Sequence, residues 1–391
     1  MKQYLKLIVL TLFAGSFAAE HAYASIASGE IWRDDRGVHI NAHGGGILRH
    51  KNTYYWFGEH KIEGKAGNRA HVGVHVYSSK NLQDWSDCGI ALNVSNDPKS
   101  EITKGCILER PKVVFNEKTR KFVMWFHLEH KDAKPQPYST ARSAVAVADE
   151  VTGPYTFLHS LRGTPENWPI NFPEEMRNQF DVKDDYYHGS ASWEEKAETH
   201  QRGLAVNTCF HEGQMSRDQT VFVDDDGTAY HIAASEHNAT LHIRELNESY
   251  TGYTGKYIRI FPGRYHEAPA VFKREGKYYL ISSGCTGWAP NAARSAVADD
   301  IMGEWTELGN PCVGINPGNN MGPEKTFGAQ STFVLPVTGK KDAYIAMFDI
   351  WSPGNAIDGR YVWLPIEFAD EGFYVPWKSA WSISSFEDME N

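Results

Sequence analysis

The chain is 391 residues long, 41% hydrophobic and 13% aromatic, with 49 acidic side chains against 39 Lys and Arg and a formal charge of −10. That length and apolar content suffice for a large core. The acidic balance argues against nucleic acid as a partner, which is bound through clustered Lys and Arg.

The N-terminus opens on a basic stretch, Met1 to Lys6, followed by an apolar run from Leu7 to Ala14 and small residues ending Ala22-Tyr23-Ala24. This order is that of a secretory signal peptide, 1–24, cut after Ala24. Residues 25–391 are then expected as a single exported domain, periplasmic or extracellular. No later run nears the roughly 20 apolar residues needed to span a bilayer, so no membrane anchor is expected.

Five short strand segments follow, their first residues 68, 107, 49 and 66 apart, each within a unit of roughly 40–55 residues. They read KNTYYWFGE (51–59), TRKFVMWFH (119–127), DGTAYHIAA (226–234), EGKYYLISS (275–283) and KDAYIAMFD (341–349). Eleven to fourteen residues before the aromatic position of each stand His43, Glu109, Asp218, Glu267 and Gln330. A second echo follows three of them: VYSSKNLQDW (76–85), AVADEVTGPY (146–155) and AVADDIMGEW (296–305). These runs are too short and too β-rich for helices. A repeated β unit of this length predicts an all-β, five-bladed propeller. Its blades are read as Val38–Leu92, Cys106–Ser160, Met215–Lys256, Tyr265–Asn310 and Thr326–Phe368. Between blades two and three lies an insertion, 161–214, with helical signals over 172–181 and 192–203. Two readings of it stay open, a roof over one side of a cleft or a surface elaboration.

In a propeller the inner strand of every blade starts near the axis, so the five equivalent polar residues are expected to converge. Glu267, before an inner strand and flanked by other carboxyl groups, is the candidate general acid, because burial and neighbouring negative charge both keep a carboxyl protonated near neutral pH. Asp218 and Glu109 hold the matching places in the two preceding blades. Several carboxyl groups with pKa values pushed apart suit glycosidic bond cleavage. Trp288 is placed to stack on a sugar ring, with Thr286 and Asn291 beside it as hydroxyl and amide partners. Glu59 and Asn238 follow their central strands and are expected to reach ring hydroxyls. His127 and His130 end a strand and are expected to meet solvent, and His71 and His75 alternate like a strand rather than in helical metal-ligand spacing. Five cysteines form no C-x-x-C pair. If any bridge forms, Cys88 with Cys106 is the expected one.

The signatures INAHGGGIL (40–48), YYWFGE (54–59), LERPKV (108–113), MSRDQTVFVDDDG (215–227), EAPAVFK (267–273), SGCTGWAPN (283–291) and AQSTFVLP (329–336) resemble glycoside hydrolase family 43, and most closely its subfamily 24, the exo-β-1,3-galactanases. The resemblance implies an inverting enzyme that removes galactose from the non-reducing end of the arabinogalactan backbone. It further implies Glu267 as acid, Asp218 as the carboxylate that tunes and orients it, Gln330 as the holder of the attacking water, and Glu109 as a further required carboxylate. Most of the family carries an Asp base at the start of blade one, where this chain has Asn41-Ala42-His43. The alternatives weighed are an α-L-arabinofuranosidase or β-xylosidase of the same family, and a non-catalytic glycan-binding propeller. The expected partner is a plant-type polysaccharide or oligosaccharide, bound by a monomer. No cofactor is expected to be required, although some propellers of the family hold a structural calcium ion in the axial pore.

Overall fold

The computed structural model describes residues 25–134, 138–184 and 193–389. The expected signal peptide, 1–24, lies outside them. Four sheets have four antiparallel strands in chain order, running over 43–93, 107–161, 219–260 and 266–309. A further sheet has three, Gln330–Pro336, Tyr344–Ile350 and Arg360–Pro365. Each begins and ends within a few residues of a segment marked by the repeat, because the Gly, Asn and Asp turns that bound the aromatic strands set the hairpins.

The expected count of five blades is corrected to six. A sixth sheet is built from Cys312–Val313, Gly372–Pro376 and Glu367–Ala369. It joins a stretch after the fourth sheet to a C-terminal hairpin, with Cys312 pairing parallel to Val375. Such a sheet is discontinuous in sequence and lacks the polar site position on which the count rested, although Gly372–Pro376 carries Phe373 and Tyr374. Its Phe373 and Val375 share a buried cluster with Val362 and Leu364 of the preceding sheet. The pair Ile26–Ala27 and Ala380–Trp381 ties the two ends of the described chain together.

The inner strands, His43–His50, Ile107–Asn116, Gln219–Val223, His266–Arg274 and Gln330–Pro336, neighbour one another in chain order, and the last returns to the first. Large aromatic side chains on the second and third strands fill the spaces between sheets. Trp56, Trp125 and Trp363 are all fully buried, each burial contributing about 1.5–3 kcal/mol or more. Trp56, Trp85, Tyr361 and Trp363 pack edge-on or tilted where the first and fifth sheets meet.

Four inner strands shift register just past their polar position, at His43/Gly46, Glu109/Lys112, Glu267/Ala270 and Ser331/Phe333. In the first three the backbone turns left-handed at Gly44, Arg110 and Ala268, with φ of 60, 56 and 52°. A bulge bends the strand and redirects the adjoining side chains. The same device therefore recurs at the site end of blade after blade.

The insertion 161–214 packs on the outer strand of the third sheet, where Ile170 N–H donates to Tyr257 C=O and Asn171 Nδ2 to Arg259 C=O. It contains the helices Trp193–Gln201 and Leu204–Thr208, while 172–181 forms only a single turn at Glu174–Met176. The expected Cys88–Cys106 bridge does not form, and all five cysteines are thiols. Cys106 is buried in the core between the first two sheets, whereas the Cys88 thiol donates to Ser78 Oγ. No helix among the described residues is long and apolar enough to cross a membrane.

Candidate active site

At the end of the ring where the bulges lie, a cavity of about 280 Å³ opens among the inner strands. Glu109, Asp218, Glu267 and Gln330 all line it, together with Glu59, Asn238 and Trp288. Residues far apart in sequence meet here because Glu109, Asp218, Glu267 and Gln330 stand near the starts of inner strands, and Glu59, Asn238 and Trp288 at or just past the ends of second strands.

The Glu267 carboxyl is raised to about 7, first by burial and then by the charge of Asp218. Its Oε1 accepts from Asn238 Nδ2 at 2.6 Å and from the Cys285 thiol at 3.2 Å. With Oε1 occupied by two donors, Oε2 is the oxygen left to carry and deliver a proton. Glu109 goes the other way. Burial pushes its pKa up, but His127 outweighs this and holds it at about 2. His127 Nδ1 lies 3.1 Å from Glu109 Oε2, its Nε2 lies 3.0 Å from Glu129 Oε1, and Tyr138 donates to Glu109 Oε1 at 2.7 Å. Burial alone would lower the pKa of that imidazole, yet the two carboxylates raise it to about 9. His127 is therefore a buried imidazolium, which corrects the expectation that it meets solvent. A proton-donating acid and a firmly ionised carboxylate share one cavity, as acid-catalysed transfer to water requires.

Gln330 is held on three sides. Its Oε1 accepts from an Arg110 guanidinium nitrogen at 2.6 Å and from Trp351 Nε1 at 2.9 Å, and its Nε2 donates to Ser283 Oγ at 2.9 Å. The same Arg110 nitrogen reaches Asp218 Oδ2 at 2.9 Å, and the guanidinium lies over the Trp351 ring. Arg110 thus links the Asp218 carboxylate to the Gln330 amide.

The remaining expected site residues divide. Glu59 lines the cavity, paired with Lys61 at 2.5 Å and accepting from Arg110 N–H. Trp288, 42% exposed, stands on the rim in a T-shaped contact with Trp351. Thr286 and Asn291 do not line the main cavity. Asn291 donates to Thr286 Oγ1 and accepts from Gly284 N–H, so both shape the loop that presents Trp288. His43 is completely buried behind the site, stacked on Tyr361. Arg110, Cys285 and Trp351 were not singled out from the sequence as site residues, and His127 was read only as a strand end. Trp351 follows the central strand of its sheet, the position that identified Glu59 and Asn238, and Arg110 directly follows Glu109.

The axis does not suit a calcium ion. Lys112 is fully buried there, its Nζ donating to Gly44 C=O at 3.0 Å and lying 3.4 Å from Arg110 C=O. Carbonyl oxygens of the kind that would bind a hard cation are already taken by an amine. Among the described residues no group of three or more His, Cys, Asp or Glu is placed to hold a metal ion.

Comparison with known proteins agrees with this chemistry. Residues 188–347 match the description "Glycosyl hydrolases family 43". A β-D-galactofuranosidase of Aspergillus niger is 31% identical over 116 residues, 28% of this chain and only 33% of that protein. Among solved structures, a family 43 β-1,3-galactosidase in complex with galactodeoxynojirimycin is 47% identical, with 92% of this chain and 100% of that one aligned and a TM-score of 0.82. An exo-β-1,3-galactanase of Clostridium thermocellum is 32% identical over 91% of this chain and 66% of its own, with a TM-score of 0.71. One from Phanerochaete chrysosporium, solved with β-1,3-galactotriose, is 28% identical over 92% of this chain and 68% of its own, with a TM-score of 0.70. A propeller that gathers an acid, an anionic carboxylate and a fixed amide, and that matches such a relative from end to end, leaves one assignment: the chain belongs to glycoside hydrolase family 43.

Proposed function

We propose that this protein is an exo-β-1,3-galactanase, a glycoside hydrolase that releases galactose from the non-reducing end of β-1,3-galactan with inversion. The observation that carries the reading is Glu267, a carboxyl raised to about 7 that lines the same cavity as Gln330. Glu267 protonates the departing glycosidic oxygen while a water held at Gln330 attacks the other face of the sugar. Inversion needs the acid and the water-holding group about 6.5–9.5 Å apart, so that a water fits between them and the sugar. The relatives solved with a galactose mimic and with β-1,3-galactotriose support galactose as the sugar taken. The absence of an acid at Asn41-Ala42-His43 weighs against arabinofuranosidase or xylosidase chemistry that depends on a base there. The leader read at 1–24 supports export, which sequencing the mature N-terminus tests.

The deciding experiment is incubation with β-1,3-galactobiose, β-1,3-galactan and aryl α-L-arabinofuranosides, following the first-formed anomer by NMR. α-Galactose appearing before its β form is expected. Release of arabinose alone would give the reaction to the rival glycosidase. Binding of galactan without any sugar released would make the protein a glycan-binding propeller.

A further inference from the structure

The hydrogen-bonding capacity of Gln330 is almost entirely committed, and the way it is committed bears on which group serves as the base. An amide oxygen has two lone pairs and an amide nitrogen two protons. The two groups at 2.6 and 2.9 Å, the Arg110 guanidinium and the Trp351 indole N–H, are donors only. The atom facing them is therefore the oxygen, and the nitrogen takes the other side, where Ser283 Oγ accepts one proton. A single N–H is all that Gln330 has left to offer.

Arg110 is itself immobilised. It is 4% exposed, donates to Ser331 C=O at 2.8 Å and to Asp218 Oδ2 at 2.9 Å, and lies 5.2 Å over the Trp351 ring. For Gln330 to take a proton from water it would have to react through its iminol form, with a hydrogen on the oxygen. That O–H would point into two groups that cannot accept it, and two good hydrogen bonds would be lost. The neutral amide form is thereby selected.

We propose that Arg110 and Trp351 are positioning residues that fix Gln330 as a hydrogen-bond donor to the attacking water, and that Glu109 takes the proton this water releases. The proposal rests on the galactanase reading and deepens it. Glu109 lines the same cavity and is fixed by one hydrogen bond at each oxygen, to Tyr138 and to His127. A carboxylate accepts about four such bonds, so lone pairs remain for the water. In the step, the water oxygen bonds to the anomeric carbon as the bond from that carbon to the glycosidic oxygen breaks. The Glu267 proton goes to the departing oxygen, and one water proton goes to Glu109. The sugar leaves with its anomeric centre inverted, and exchange with solvent restores both carboxyl groups. A transition state with oxocarbenium character asks little push from the base, so a weakly basic carboxylate suffices.

The test is a double-mutant cycle on β-1,3-galactobiose. Trp351→Phe keeps an aromatic ring but removes the N–H. It is expected to lower kcat by about tenfold, the worth of one hydrogen bond, with KM little changed in the otherwise native enzyme. In the Gln330→Ala background it should cost nothing further. An equal loss in both backgrounds overturns the clamp, since a merely structural effect would not depend on Gln330. With an activated aryl β-galactoside, azide is expected to restore turnover of Glu109→Ala and yield α-galactosyl azide. Restoration of Gln330→Ala but not of Glu109→Ala overturns the assignment of the base. If the unmodified enzyme releases no galactose, the functional reading fails, and neutron diffraction then decides the clamp. Two deuterons on Gln330 Nε2 support it, and one on Oε1 overturns it.

Discussion

Glu267 and Glu109 face the same cavity, yet their neighbours drive them in opposite directions. A thiol and a side-chain amide meet Glu267, with Asp218 close enough to oppose its ionisation, whereas an imidazolium grips Glu109. Two measurements follow. Asp218→Asn removes a charge that raises Glu267, so the acid should ionise earlier and the alkaline limb of kcat/KM should move to lower pH. An unmoved limb would detach Asp218 from the acid. Glu267→Gln should lose about 10²–10⁴ in kcat while galactobiose binding, measured by calorimetry, persists. The same variant should gain stability, with a definite dependence on pH. In the unfolded chain Glu267 ionises near its ordinary value of 4.5, and in the fold near 7. The folded state therefore binds more protons between those values, and native stability falls as pH rises through them. Replacing the carboxyl should thus raise Tm at pH 8 by the equivalent of roughly 3 kcal/mol and have little effect at pH 4. Of these residues, the two carboxyls and Gln330 were legible because each opens a recurring strand. Arg110 and Trp351 were not, since their roles arise from contacts across sheets: Arg110 and Gln330 are 220 residues apart in sequence.

At the level of elements, the hairpin of the first sheet depends on the absence of side chains. A Cβ on Gly45 would stand 1.9 Å from Phe57 C=O, and one on Gly58 would stand 2.0 Å from the Ala42 carbonyl carbon. These obstacles are backbone and cannot swing aside. Gly45→Ala is expected to cost more than about 3 kcal/mol in urea unfolding, whereas Gly354→Ala, with nothing within 4 Å, should cost little. Comparable midpoints for the two would refute the close approach. The aromatic strands announced their own hairpins. The sixth sheet gave only a partial sign, the short aromatic strand Gly372–Pro376. Cys312–Val313 is two residues long, and its partners begin some 55 residues later, so no local periodicity could join them. The insertion was legible as an interruption and its helix at Trp193–Gln201 as a helix. That it packs outside the third sheet depends on contacts such as Ile170 with Tyr257.

For the whole molecule the decisive act is closure, in which Trp56 and Trp85 of the first sheet pack against Trp363 near the C-terminus and Trp381 Nε1 donates to Trp363 C=O. Closure leaves a hollow at each end of the axis, the site of about 280 Å³ and an opposite one of about 780 Å³ lined by Lys112, Val221 and Phe333. Lys112 and Arg110 stand between them. A single sugar that enters the site thus has no rear exit and must leave by the mouth that admitted it, past any polymer still bound there. The enzyme should accordingly work distributively, letting go of each galactan chain after every cut. Size-exclusion chromatography partway through digestion should find all chains shortening together; intact chains coexisting with free galactose would mean the product has another way out.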